Sequence, residues 1–188
     1  MTGPPAAYGG HRSSHGSHAV RRSRIAAVGV VLAVAHGGGS YPAVVSADPV
    51  DTTAVVLKVV DGDTVDIRDD VRGRLRIRVL GIDTPETSGC WGPQASEFAK
   101  LTLLGQRVAV VYDPTQGMND RYGRTLAYLV KGPDGWDYSV EAARAGFARA
   151  YVYDDKPVSQ YPAIAAAEQE AKGAQRGLWG PPCNGNTE

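Results

Sequence analysis

Arg74-Leu75-Arg76-Ile77-Arg78-Val79-Leu80-Gly81-Ile82 alternates strictly, with Leu75, Ile77 and Val79 on one face and Arg74, Arg76 and Arg78 on the other. A period of two predicts a strand over Arg74–Ile82 with a core side and a wet side. Upstream, Ala54–Val60 and Thr64–Arg68 are Val- and Ile-rich runs flanking Asp61-Gly62-Asp63, a combination that favours a tight turn, so the three segments read as a hairpin followed by a third strand. Downstream, Arg107–Tyr112 and Arg124–Val130 read as two more strands joined by the polar loop Asp113–Gly123. Helices are expected over Pro93–Gln106, with Phe98, Leu101 and Leu104 as its apolar stripe, over Ser139 (as N-cap) to Ala145 with Gly146 as the stop, and over Tyr161–Gln175 with a Glu168–Lys172 pair. Connections this short weigh against a doubly wound parallel sheet, which leaves an α+β fold or a closed five-stranded barrel carrying helices.

Composition narrows the chemistry. The formal net charge of the 188 residues is zero. Residues 1–47 contribute Arg12, Arg21, Arg22 and Arg24 and no acid, so the rest carries 16 basic against 20 acidic groups. A polyanionic ligand therefore needs a local basic cleft working against the overall field. All four histidines, His11, His15, His18 and His36, fall in that N-terminal segment. Without it the chain has no imidazole for a Ser-His-Asp triad, a Cys-His pair or a His-based zinc site. Carboxylates, arginines, tyrosines and backbone groups remain.

Residues 1–47 read as an export segment: Arg21-Arg22-Ser23-Arg24 forms a basic flank, Ile25–Ala35 an apolar run too short to cross a bilayer comfortably, and Val45-Ser46-Ala47 a small-x-small cleavage pattern, with Val34 and Ala35 allowing an earlier cut. The expected location is extracellular; the alternatives are an anchor at the outer face of the cytoplasmic membrane through residues 25–35, or a soluble protein with an unusual tail. Residues 50–180 form the expected folded domain and 181–188 a C-terminal tail. Cys90 and Cys183, an even pair beyond a signal-like segment, are expected to form a disulfide, with two free buried thiols as the alternative.

Chemistry concentrates in Val60-Asp61-Gly62-Asp63-Thr64, in Arg78 through Thr87, and in Asp120-Arg121-Tyr122-Gly123-Arg124. Asp63, Asp83 and Glu86 are hard oxygen donors suited to one divalent cation, and Arg78 and Arg124 present planar guanidinium forks matched to phosphate. Taken singly, each has a bland reading. Asp-Gly-Asp is a turn, Glu86 a solvent-facing acid, Arg78 one of three arginines on a wet sheet face, and Arg124 a surface partner of Asp120.

Their order and spacing resemble the thermonuclease (staphylococcal nuclease-like, SNase-like) family over about Val50 to Trp179. The resemblance rests on Asp61-Gly62-Asp63-Thr64, on Arg78 ahead of Asp83-Thr84-Pro85-Glu86, and on Tyr122-Gly123-Arg124 followed by Thr125-Leu126-Ala127-Tyr128. It implies an OB-like five-stranded barrel with three packed helices, and a Ca²⁺-dependent phosphodiesterase acting on DNA and RNA at the 5′-oxygen to leave 3′-phosphates. By the same resemblance Asp63, Asp83 and the Thr84 carbonyl are the calcium ligands and Asp61 an outer-shell acid. Arg78, Glu86 and Arg124 are the catalytic trio, and Arg121, Tyr122, Tyr151 and Tyr153 meet the nucleotide. A monomer without an obligate protein partner is implied.

Two departures from the family bear on substrate grip. The segment Thr87–Gly92 is several residues shorter than the family's lysine-rich loop, and Asp154 and Asp155 follow Tyr153 where they would repel a polyanion if they faced the cleft. The rival reading is a non-catalytic OB-like module binding single-stranded nucleic acid. Retention of the whole carboxylate and arginine set argues for the enzyme.

Overall fold

A computed structural model describes residues 51–187; the reading of residues 1–47 as an export or anchor segment falls outside them. The hairpin forms as the sequence suggests. Strand β1 (Ala54–Val59) pairs antiparallel with β2 (Thr64–Asp69), placing Val56 opposite Ile67 and Val59 opposite Val65, and Leu57 is the extra residue of a bulge between Val56 and Lys58. Strand β3 (Gly73–Val79) continues antiparallel to β2. The predicted strand does not run on to Ile82. It breaks at Leu80-Gly81, where Gly81 has φ +75°, and resumes as the two-residue β4 (Ile82–Asp83). A β-carbon on Gly81 would lie 2.5 Å from Ile164 Cδ1, so both the backbone sign and the space require glycine there.

Helix α1 (Gly92–Leu103) leads to β5 (Arg107–Val111), which pairs antiparallel with β1, and to β6 (Thr125–Lys131), antiparallel to β5. Strand β6 also pairs in parallel with β3 through Ile77↔Thr125 and Val79↔Ala127, which closes a five-stranded mixed barrel. The remaining elements are β7 (Trp136–Asp137), α2 (Tyr138–Arg144), β8 (Arg149–Ala150), α3 (Tyr161–Gly173) and a 3-10 turn at Gly177–Trp179. Helix α1 packs on β1, α2 on β6 and α3, and α3 on β8. This is the OB-like α+β barrel with three helices that the sequence implied.

The inward set of the barrel strands, Val56, Val65, Ile67, Ile77, Val79, Val108 and Leu129, meets Leu103, Ala142, Ala143 and Ile164 from the helices in one buried core. Full burial of each branched side chain contributes about 1.5–3 kcal/mol relative to exposure. Two helix expectations are corrected. Leu101 and Leu104 of the proposed α1 stripe are exposed, at 77% and 47%, and the buried face is Ala95, Ser96, Ala99 and Leu103. Small residues bring the helix close to the barrel, while Phe98 packs sideways on Phe147, 4.5 Å between ring centroids. The N-cap of α2 is Asp137 rather than Ser139: Asp137 Oδ1 accepts from Ser139 N (2.8 Å) and Val140 N (3.2 Å). The Ser139 hydroxyl donates instead to Leu80 O at 2.9 Å, so the side chain that resembled a cap fastens α2 to the barrel. The Glu168–Lys172 ion pair forms as expected, at 2.7 Å.

The C-terminal tail is tied down. Cys90 and Cys183 form a disulfide across 93 residues of sequence, Arg149 donates to Gly185 O, and the Arg149 guanidinium and Lys172 ammonium lie 4.9 and 4.3 Å from the centroid of the Trp179 ring. No helix among the described residues is long and apolar enough to cross a membrane.

Candidate active site

The β1–β2 turn delivers a carboxylate into the protein. Asp61 Oδ1 accepts from Asp63 N at 3.0 Å, and the Tyr138 hydroxyl, wholly buried, donates to Gly62 O at 2.5 Å. Gly62 lies so close to Thr84 that an added β-carbon would sit 2.8 Å from its side chain, which lets the turn and the residue after β4 meet. Asp63 is the result, buried to 6% exposure. Its Oδ2 accepts from Thr84 N (3.0 Å) and Thr84 Oγ1 (3.1 Å), and its Oδ1 from Thr64 Oγ1 (3.1 Å). Burial pushes the Asp63 carboxyl up to about 6; Arg78 and the Thr84 amide pull against this, and the charges of Asp61 and Asp83 push with it.

Arg78 joins the two acids. Its Nε is 3.2 Å from Asp63 Oδ1, and its Nη2 donates to Asp83 Oδ1 at 3.1 Å. Its Nη1 donates to Val79 O (2.7 Å) and Ile82 O (2.8 Å), so the break after β3 wraps around the guanidinium and only one N–H is left over. Asp83 is half exposed, and β4 fixes it by pairing with Arg149 of β8.

Arg124 arrives from another loop. Asp120 Oδ1 accepts from Tyr122 N and Arg124 N, both 2.9 Å, and its Oδ2 accepts from Arg124 Nε at 2.7 Å. Burial alone would raise the Asp120 carboxyl; these bonds outweigh it and hold it below its ordinary range. The Asp120 pairing that a bland reading allowed is thus real, and it orients the arginine. Arg124 Nη1 reaches Thr64 Oγ1 at 3.4 Å, and the other N–H groups of the fork are uncommitted.

Arg78 and Arg124 both line a cleft of about 560 Å³ whose walls also include Arg121, Tyr122, Tyr151 and Tyr153. The Tyr151 ring lies 5.9 Å from the Arg78 guanidinium carbon, and Tyr122 lies 4.8 and 5.5 Å from those of Arg121 and Arg124. The Arg121 Nη2 also donates to the Tyr122 hydroxyl at 2.6 Å. Arginines and tyrosines in alternation offer phosphate oxygens forks and bases flat faces. Asp63 and Asp83 adjoin this cleft through Arg78. Glu86 does not line it: the side chain is exposed and makes no hydrogen bond or ion pair, while its carbonyl accepts from Gly89 N at 2.8 Å. Of the two acids after Tyr153, Asp154 lines the cleft, paired with Lys156 at 3.0 Å, and Asp155 does not.

Three participants escaped the sequence reading. Lys156 and Gln116 line the cleft from segments with no recognisable pattern. Asp113, placed simply at the start of a polar loop, is buried and accepts from Thr115, Tyr128 and Ser159. The signal was there in part: a buried tyrosine needs a partner for its hydroxyl.

No group of three or more His, Cys, Asp or Glu able to hold a metal occurs among the described residues. The donors at hand are the carboxylates of Asp63 and Asp83, bridged by Arg78, with the Thr84 backbone alongside. Their chemistry fits a hard divalent cation: two carboxylates and a backbone carbonyl are oxygen donors, and Asp63 is a buried carboxylate whose charged partner among the described residues is Arg78.

A family model described as "Staphylococcal nuclease homologue" matches residues 76–181, which takes in Arg78, Asp83, Thr84, Glu86 and Arg124 and leaves Asp61 and Asp63 outside. The chain is 36% identical over 162 residues to the thermonuclease of Staphylococcus intermedius, covering 82% of this chain and 92% of the relative. It is 35% identical over 136 residues to the thermonuclease of Staphylococcus hyicus, covering 69% and 76%. An uncharacterized endonuclease of Escherichia coli is 36% identical over 125 residues, covering 66% and 74%. A match over more than half the chain, and relatives covered over most of their length, make this chain a member of the staphylococcal nuclease homologue family.

Proposed function

We propose that the protein is a nuclease, a calcium-dependent phosphodiesterase that hydrolyses DNA and RNA at the 5′-oxygen and leaves 3′-phosphates. The observation that carries the reading is the convergence of Arg78 and Arg124 on one tyrosine-lined cleft, with Asp63 and Asp83 held against Arg78. Family membership supports nuclease chemistry in general; calcium dependence and cleavage at the 5′-oxygen are carried over from the family resemblance, and the residue roles from the positions that match its motifs.

A phosphodiester carries one negative charge, and attack at phosphorus builds a second. Donors aimed at those oxygens act where the charge develops. The uncommitted N–H groups of Arg124 and the remaining one of Arg78 serve that purpose, while Asp120 keeps Arg124 from swinging away. By the family resemblance Glu86 is the general base; its exposed carboxylate stands outside the cleft walls, three residues along the chain from Asp83, and its role is to take a proton from the attacking water. Tyr151 and Tyr153 provide stacking faces for bases, and Arg121 with Tyr122 meets a terminal phosphate. Asp63, Asp83 and the Thr84 carbonyl would hold the calcium ion, with Asp61 behind them, and an ion held there would supply positive charge against the charge that develops on the phosphoryl group.

The test is digestion of DNA and of RNA by the full chain, with Ca²⁺ and with excess chelator, followed by end-group analysis. Turnover only with Ca²⁺ and products with 3′-phosphate ends are expected. Undiminished turnover in chelator, or 5′-phosphate ends, would overturn the assignment. Export belongs to the same proposal. N-terminal sequencing of protein from the culture medium should find residues 1–47 removed, and an intact N-terminus there would refute cleavage.

A further inference from the structure

The wet face of the β1–β2–β3 sheet holds more positive charge than the fold uses. Antiparallel register places Arg76 opposite Asp66 and Arg74 opposite Arg68, and Lys58 of β1 lies opposite Asp66 from the other side. Asp66 is therefore the one acid among four cations. Arg76 takes it, with Nε at 2.6 Å and Nη2 at 3.0 Å from the two carboxylate oxygens, and the charges of Lys58 and Arg74 add to what holds its carboxyl below the ordinary range. Arg68 and Arg74 are exposed and form no ion pair with any of the described residues. Like charges directly across a strand pair destabilise a sheet, so the Arg68–Arg74 pair opposes folding.

Other charged positions on this part of the chain are neutralised. Asp69 takes Arg72 at 2.6 Å, and Asp70 takes Arg107. The excess is confined to one stripe, and the stripe has a direction. Arg74, Arg76 and Arg78 occupy alternate positions of one strand, so each step is about 6.6 Å and the run from Arg74 to Arg78 about 13 Å. That step resembles the phosphate spacing of an extended single strand. Its far end is Arg78, in the cleft. A depression of about 360 Å³ lined by Leu57, Lys58, Arg74 and Arg76, and by Asp66 with its charge taken up by Arg76, continues the stripe onto β1.

We propose that Lys58, Arg68, Arg74 and Arg76 form a phosphate track that holds a single-stranded segment of substrate beyond the residues in the cleft, making this protein favour long polynucleotides over short ones. The proposal rests on the nuclease reading above and adds an extended binding surface to it. The chain after residue 47 is net acidic, with 16 basic against 20 acidic groups, so a strand that leaves the cleft over other parts of that segment meets on average a repulsive field.

The test uses the full chain with the substitutions R68E/R74E and, as a milder pair, R68Q/R74Q. Neither residue lines the cleft. KM and kcat are measured on single-stranded oligonucleotides of increasing length and on a mononucleotide phosphodiester, and binding of non-hydrolysable oligonucleotides is followed by anisotropy. In the parent, KM should fall with length. In both variants that fall should be lost, with kcat and mononucleotide turnover unchanged. Removing two phosphate contacts lowers the salt slope by about 1.4 for a single strand, so raising salt from about 50 to about 200 mM should weaken parent binding roughly sevenfold more than variant binding. Equal KM at every length in parent and R68E/R74E would overturn the track while leaving the nuclease intact. A parent that binds long oligonucleotides in a salt- and Arg74-dependent way but cleaves none would sink the nuclease reading and keep the track. Unaltered oligonucleotide binding in R68E/R74E, together with lost adhesion to anionic lipid vesicles, would overturn it in favour of a membrane surface.

Discussion

Asp113→Asn removes one charge and no volume, and it tests whether the loop that floors the cleft is held by a single carboxylate. Asp113 Oδ1 accepts from Thr115 N (2.8 Å) and Thr115 Oγ1 (2.6 Å), and its Oδ2 from the Tyr128 hydroxyl (2.5 Å), Ser159 N (2.7 Å) and Ser159 Oγ (2.8 Å). Hydroxyls can rotate to meet an amide group, but backbone N–H groups cannot. Each carboxylate oxygen faces one such N–H, so whichever way the asparagine turns, its NH₂ confronts Thr115 N or Ser159 N. One buried N–H then loses its acceptor, at about 1–3 kcal/mol, and the other bonds lose their charge assistance, for a total of about 3 kcal/mol. That corresponds to a fall in Tm of roughly 12 °C. The pH dependence gives an independent check. Burial alone would raise the Asp113 carboxyl, but the bonds from Thr115, Tyr128 and Ser159 hold it well below its ordinary range. A depressed folded-state value stabilises the protein above the unfolded value and is lost as pH falls through the folded one. The Tm gap between parent and D113N should therefore be constant down to about pH 4 and narrow below it. Scanning calorimetry across that range decides: a gap under about 4 °C at neutral pH, or one that fails to narrow in acid, refutes the reasoning.

Arg78→Lys and Arg124→Lys should each lower kcat about 100-fold or more, since one ammonium cannot replace a fork that spans two carboxylates or clamps a phosphate; parental rates with unchanged melting would remove that arginine from the catalytic assignment. Tyr138→Phe should cost about 1–2 kcal/mol by leaving Gly62 O without its donor, read as a lower urea midpoint with unchanged m. An unshifted midpoint would remove Tyr138 as the anchor of the Asp63 turn. Reducing Cys90–Cys183, which spans 93 residues, should cost up to about 4–5 kcal/mol on the chain-entropy model and lower Tm far more than activity at low temperature. An unchanged Tm after verified reduction contradicts this.

The barrel was legible because its strands keep one face apolar: Leu75, Ile77 and Val79 could point only inward, and the short turn at Asp61–Asp63 left β1 and β2 little choice but to pair. What was not legible depended on tertiary partners. Leu101 and Leu104 have helical spacing but face solvent, because Ala95 and Ala99 allow α1 a closer approach on another side. Ser139 has the chemistry of a cap, yet Leu80 O claims its hydroxyl and Asp137 caps in its place. Strand length failed at Gly81, which has a positive φ and no room for a β-carbon beside Ile164, more than eighty positions away.

The site was legible to the extent that its residues are local in sequence. Asp120 to Arg124 form a loop bonded to itself, and the break after Val79 wraps around Arg78, so the chemistry there follows from neighbours along the chain. Asp113 acts across long sequence distances, on Tyr128 and Ser159, and only the need of a buried tyrosine for a partner hinted at it. Arg78 connects the two regimes. The alternation that leaves Arg74 and Arg76 in solvent puts Arg78 on the same face, but at the position where β3 ends and the chain turns back. There Ile82 O, Asp83 and Asp63 enclose a guanidinium that a longer strand would have left exposed. A single strand thus carries one residue type through two environments, and the strand break decides which arginine reaches the carboxylates.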